Sequence, residues 1–158
     1  MRRPAAAAAS VAVASAASQP RPRAPPPLLG AVTATAPSSV TLRVKLVSAL
    51  SPWVADAVIT GHDRAELGAL LFLSEAARAL PAADLAGHLR AGLKALAAEG
   101  GGSSQVPTRL RWLDGLPDAA SGEITDKGYL NQRIALTRRA AEVAALHADT
   151  PDARTVRR

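Results

Sequence analysis

The chain has 158 residues, 48% hydrophobic but only 3% aromatic, with no cysteine. That length suits one domain of ordinary size, and the missing thiols exclude disulfides, thiolate metal sites and cysteine nucleophiles. The net charge of +6 is uneven: Arg2, Arg3, Arg21, Arg23, Arg43 and Lys45 precede the first acid, Asp56, and from there 13 basic residues balance 13 acidic ones.

A balanced, aromatic-poor folded part lacks the basic face and the stacking rings of a nucleic-acid module, so no nucleic-acid partner is expected. No run approaches the roughly 20 apolar residues of a membrane-spanning helix, so no membrane partner is expected and a cytoplasmic location is. His62, His88 and His147 stand apart, without metal-ligand spacing, and no metal site is expected.

Residues 1–38 hold an alanine run at 5–9 and the proline run Arg-Pro-Arg-Ala-Pro-Pro-Pro at 21–27. Proline removes backbone donors, and such a segment buries too little apolar surface to offset its ordering entropy. It reads as a disordered, non-functional extension, such as a start-site artefact leaves. Its basic, Ala/Ser-rich, acid-free composition also suits organelle import.

Leu42 to Leu50 reads as a short strand passing into a helix that ends near Ser51. Trp53 to Thr60 alternates weakly, as a strand does. Gly61 to Arg64 is a turn, and the apolar run Leu67–Leu73 suits a central strand buried on both faces. These two strands make a hairpin. Pro81 opens a helix with Leu85, Leu89, Leu93 and Leu96 on one stripe, ended by the glycines at 100–102. The Gly-rich stretch 100–104 leaves a helix, so it caps and connects rather than cradling phosphate. Leu110 and Trp112 alternate with Arg109 and Arg111, giving a third strand with one face inward.

A last helix is predicted from about Tyr129 to His147, with Leu136, Ala140, Val143 and Leu146 on its buried side. Residues 149–158 read as a disordered tail. The order is α, β, β, α, β, loop, α. The fold class is α+β, a small sheet of about three strands flanked by helices, with the domain at 41–148.

Between the third strand and the last helix lies Gly122-Glu123-Ile124-Thr125-Asp126-Lys127-Gly128-Tyr129. It is a polar loop with one lysine, Lys127, and Gly122 and Gly128 allow a tight turn. A flexible ammonium at the mouth of a helix reaches a phosphate or a carboxylate. The plainer alternative is a solvated turn lysine. The other polar residues read as structural: Glu123 as an exposed turn carboxylate, His62 as a surface turn, His88 and His147 as structural or solvated, Arg138 and Arg139 as a solvated face. Trp53 and Trp112 read as core residues.

GEITDKGYLNQR, with Arg138, Arg139, Ala140 and Ala141 following it, resembles the C-terminal lysine signature of acyl-adenylating acid–CoA ligases. It is most similar to that of feruloyl-CoA synthases. TLRVKLVSALSPWVADAVITGHDR at 41–64, ELGALLF at 66–72 and LAAEGGGSS at 96–104 share the resemblance, which covers 41–148.

The resemblance implies that Lys127 contacts the substrate carboxylate and the phosphates during adenylation, with Gly122, Glu123, Thr125, Asp126 and Gly128 shaping its loop. It implies ATP, CoA and Mg2+ as co-substrates of an intact parent enzyme, none held tightly by this chain. The partner it implies is a large N-terminal adenylating domain, absent here, without which the chain is expected to be inactive. An ungapped comparison on the distal arginine places Tyr129, not Lys127, at the family's lysine. The alternative function is a non-catalytic interaction domain docking on a larger partner.

Overall fold

The computed structural model describes residues 38–61, 63–100 and 105–158. The expected disordered extension lies outside them apart from Ser38, as do His62 and most of the Gly-rich stretch. Helix α1 spans Ser39–Ala49, strand β1 Val54–Thr60, β2 Gly68–Leu73, the single turn α2 Glu75–Arg78, and α3 Ala82–Ala98. Strand β3 (Arg109–Leu113), helices α4 (Gln132–Arg138) and α5 (Ala140–Leu146), and strand β4 (Thr155–Arg157) follow.

The four strands lie in the order β1-β2-β3-β4. β1 and β2 form the antiparallel hairpin that the alternation predicts, Val58 opposite Leu70. β2 and β3 run parallel, Leu71 opposite Trp112, so α3 is the crossover that returns the chain to the same end of the sheet. β4 is antiparallel to β3, Leu110 opposite Val156.

The sheet is covered on both faces. On one, Ala57, Ile59, Leu71, Leu110 and Trp112 pack with Leu42 and Leu46 of α1 and the predicted Leu85, Leu89, Leu93 and Leu96 stripe of α3. Each such leucine, taken from water, contributes about 2 kcal/mol. On the other face, Val58, Leu70, Phe72 and Leu113 pack with Leu130, Ala135 and Leu146. All six β2 residues are buried, as a strand between two helical layers must be. Arg43 forks onto Asp56 at 2.6 and 2.5 Å and ties α1 to β1.

Four expectations are corrected. Leu42 opens no strand and lies inside α1: Ser38 Oγ accepts the Thr41 N–H at 3.3 Å and caps a helix from Ser39. The last helix breaks at Arg139 (φ −100°, ψ 29°), which swings Ala140 to the surface while Leu146 stays buried. β3 has no solvent face, because α5 covers the side carrying Arg111. Residues 149–158 are not a structureless tail, since Val156 packs into the core and Thr155–Arg157 form β4 of the expected small α+β sheet.

Trp112 is a core residue as expected, whereas Trp53 is half-buried and stacks on exposed His88 with ring centroids 4.5 Å apart. Among the described residues no helix is long and apolar enough to cross a membrane.

Candidate functional site

The lysine loop folds as a stub hairpin. Ile124 bridges Leu130, the Thr125 N–H donates to the Tyr129 carbonyl at 2.8 Å, and the Asn131 N–H donates to the Glu123 carbonyl at 2.7 Å. The tip is a four-residue turn closed by the Gly128 N–H on the Thr125 carbonyl at 2.8 Å. Gly128 sits at φ +79°, a conformation costly for any residue with a Cβ. The Thr125 hydroxyl accepts the Tyr129 N–H at 3.1 Å and stiffens the turn. Asn131 then leaves the stem and caps α4 by accepting the Ile134 N–H at 3.3 Å.

Thr125, Asp126, Lys127, Gly128 and Tyr129 are all exposed. Lys127 occupies the third position of the turn. Among the described residues its ammonium has no hydrogen-bond or ion-pair partner, so it meets solvent as a free cation on a defined backbone.

Glu123 departs from expectation. It is 1% exposed, not a solvated turn carboxylate. Arg139 grips it with two parallel bonds, Nε to Oε1 at 2.9 Å and Nη2 to Oε2 at 3.0 Å, and the Asp118 N–H donates to Oε2 at 2.8 Å. Burial pushes this carboxyl up, but the Arg139 guanidinium and the Asp118 amide outweigh burial and hold it below the ordinary glutamate range.

Arg139 is correspondingly not part of a solvated face. Its guanidinium carbon lies 5.0 Å from the Phe72 ring centroid and Nη2 also donates to the Leu116 carbonyl at 3.1 Å. Arg138 alone fits the expected exposed arginine, 3.9 Å from Asp118 and from Glu123. Sequence reasoning missed this pair because 16 residues separate its members and neither helical nor strand periodicity connects them.

His147 is half-buried, with Nε2 2.9 Å from the Thr60 hydroxyl. Burial pushes its pKa down, and Arg64 and Arg109 push it further. The Thr60 hydroxyl is itself buried, so the contact joins the end of α5 to β1. A cleft of about 260 Å³ opens beside Leu73, Trp112, Arg78 and Asp114 at the ends of β2 and β3. Arg78 is already committed there to the Leu73 carbonyl at 3.0 Å. Among the described residues no group of three or more His, Cys, Asp or Glu side chains is placed to hold a metal ion.

An exposed lysine on a rigid hairpin, beside a small α+β sandwich, narrows the field. Residues 35–151 match the protein family described as the AMP-binding enzyme C-terminal domain. The chain belongs to this family. Solved structures carry the same fold. The adenylation domain of a carboxylate reductase from Mycobacterium chelonae is similar at 23% identity and a TM-score of 0.54, over 67% of this chain and 18% of that one. The adenylation–carrier didomain of a carboxylic acid reductase from Segniliparus rugosus, solved in complex with AMP, is similar at 23% identity and a TM-score of 0.52, over 65% of this chain and 15% of that one.

At that identity the likeness to these structures shows the fold alone. This AMP-binding enzyme C-terminal domain spans less than a fifth of either chain. No curated protein matches it in sequence.

Proposed function

We propose that this domain is the small C-terminal part of an AMP-forming acid–CoA ligase, and that it presents Lys127 to a large adenylating domain. The observation that carries the reading is the free Lys127 ammonium at the tip of a hydrogen-bonded hairpin in an AMP-binding enzyme C-terminal domain. The acid would be a phenylpropenoid such as ferulate, on the sequence resemblance alone.

In adenylation a carboxylate oxygen attacks the α-phosphorus of ATP. The new P–O bond forms as the bond to pyrophosphate breaks, and negative charge gathers on the phosphoryl oxygens. An ammonium brought in by a domain that closes over the reactants stabilises that charge where water is excluded. The CoA thiol then attacks the acyl carbon and AMP leaves. ATP is used with Mg2+, which one or two carboxylates and the substrate phosphates commonly hold, and the described residues group no three His, Cys, Asp or Glu side chains for a metal of their own.

Lys127 stands on an exposed tip instead of inside a closed pocket, so substrate binding would fall to the large domain and this domain alone would be inactive. Such a reaction also fits a cytoplasmic location, where ATP and CoA are available.

The test is complementation. The full chain is added to a large acid–CoA ligase domain stripped of its own small domain, and ATP–pyrophosphate exchange is followed with ferulate and related acids. Recovery of exchange by the wild-type chain and not by Lys127→Ala is expected. Binding without any recovery across the acid series would instead favour a non-catalytic docking role.

A further inference from the structure

We infer that the ion pair between buried Glu123 and half-buried Arg139 positions the lysine hairpin, making both side chains positioning residues for the Lys127 ammonium. The functional half of this inference rests on the ligase reading above, and the structural half does not.

Both ends of the hairpin converge on Glu123. Its carbonyl closes the stem on Asn131 at 2.7 Å, and its N–H donates to the Asp118 carbonyl at 3.0 Å. Its carboxylate takes three hydrogen bonds, two of them from Arg139. Arg139 lies at the break between α4 and α5 and rests on Phe72, a fully buried residue of the central strand. A run of fixed contacts therefore leads from β2 through Phe72, Arg139 and Glu123 to the stem.

Above the stem, no hydrogen bond or ion pair from the rest of the described residues reaches the tip. The five residues Thr125 to Tyr129 are exposed, and only Ile124 and Leu130 of the hairpin pack against the apolar cluster. The tip takes its place from its base. A bidentate arginine–carboxylate pair fixes direction as well as distance, which an apolar contact does not. Burying such a pair is costly, and a well-packed apolar pair would serve stability as well or better. Orientation is what the ion pair adds.

Three variants of the full chain test this: Glu123→Gln, Arg139→Lys, and the double apolar replacement Glu123→Met with Arg139→Met. Amide hydrogen exchange is read at Gly128 and Asn131, relative to Leu70 and Leu71 of β2, so that global destabilisation cancels. Each variant is expected to speed the hairpin amides about tenfold or more over the strand amides. An unchanged ratio overturns the inference. The double variant separates positioning from stability: it is expected to recover the melting temperature and not the protection. If it recovers both, the pair is only structural and the inference falls. If it fails to fold, Arg139→Lys decides on the same ratio.

The complementation assay reads the functional half. Arg139→Lys is expected to lower kcat for ATP–pyrophosphate exchange about tenfold or more while KM for ATP stays put. Normal kcat in Arg139→Lys, when Lys127→Ala is inactive, overturns the positioning role and leaves the ligase reading standing. Normal kcat in Lys127→Ala itself removes the ligase reading and the functional half together, and the exchange ratios then decide the structural half alone.

Discussion

Arg111 of β3 donates to Asp152, just before β4, through Nη1 and Oδ1 at 2.5 Å, and so ties the outer strand to the middle of the sheet. The same guanidinium reaches Glu142 of α5 at 2.6 Å and the Thr155 hydroxyl at 3.1 Å. Its side chain is only 7% exposed, whereas its carboxylate partners are 34% and 49% exposed. Arg111→Met frees those carboxylates into water without leaving them buried and unpaired, so the loss is expected to be about 1–2 kcal/mol, below that of a fully buried pair. Urea denaturation reads the loss. Exchange at the Arg158 amide, bonded to the Thr108 carbonyl at 3.0 Å, is expected to speed up first because β4 detaches before the core opens. Equal acceleration at Arg158 and in β2 would show that Arg111 does not act on β4 in particular.

Asp152 gives the domain an acid-sensitive contact. Arg111 holds its carboxyl down to about 2 from an ordinary 3.8, against the opposing effect of burial, with Thr155 and the Arg154 amide assisting. A depressed carboxyl stabilises the fold above its unfolded pKa, and that stability disappears as pH falls through the folded one. The window therefore runs from 3.8 down to about 2. The side chain is half exposed, so screening limits its contribution to about 1 kcal/mol or less. Asp152→Asn is expected to be less stable than wild type at about pH 6, with the gap closing toward pH 2. A gap that stays constant across the titration would assign the effect to shape and not to charge.

Two glycines of α3 offer an internally controlled test of the α1–α3 contact. A Cβ at Gly92 would come within 2.5 Å of Leu50 Cδ2 and 2.9 Å of the Ala49 carbonyl oxygen, whereas one at Gly87 meets nothing within 4 Å. Alanine is the better helix former by about 1 kcal/mol, so Gly87→Ala is expected to stabilise by up to that amount. At Gly92 the backbone oxygen cannot step aside, and overpacking is expected to cost about 1–3 kcal/mol net. Thermal unfolding of the two variants reads both signs, and stabilisation by Gly92→Ala would mean that α1 is not seated against α3.

What the sequence disclosed follows from how local each signal is. The α3 leucine stripe carries its own period and β2 is an unbroken apolar run, and both elements form where those local signals place them. The break at Arg139 has no such signal, because the helical pattern of Ala and Leu continues through it while a buried carboxylate 16 residues away takes hold of the guanidinium. β4 has three residues, too few for any alternation to register, and its core contact rests on Val156. Arg111 looked outward because alternation cannot show that α5 will lie over that face. In the lysine loop the turn was legible from its glycines, and the partners of Glu123 were not.

Under the ligase reading proposed above, Lys127 and Tyr129 are rival phosphate contacts at the hairpin tip. Lys127 holds the third turn position, while Tyr129, two residues on and past the φ +79° bend at Gly128, is 67% exposed. An ungapped comparison on the distal arginine favours Tyr129, and charge favours Lys127. A phenol offers one hydrogen-bond donor, whereas an ammonium offers three and a full positive charge. If charge stabilisation is the task, Lys127→Ala is expected to lower ATP–pyrophosphate exchange about 10²–10³-fold in the complementation assay, as losing one preorganised donor does. Tyr129→Phe is expected to stay within about twofold of wild type, and neither change should move stability by more than about 0.5 kcal/mol, since both sites are exposed. Thioester formation from supplied acyl-adenylate is expected to be spared in both. The opposite order, a large loss in Tyr129→Phe and none in Lys127→Ala, would move the contact to the phenol and leave Lys127 a solvated turn residue.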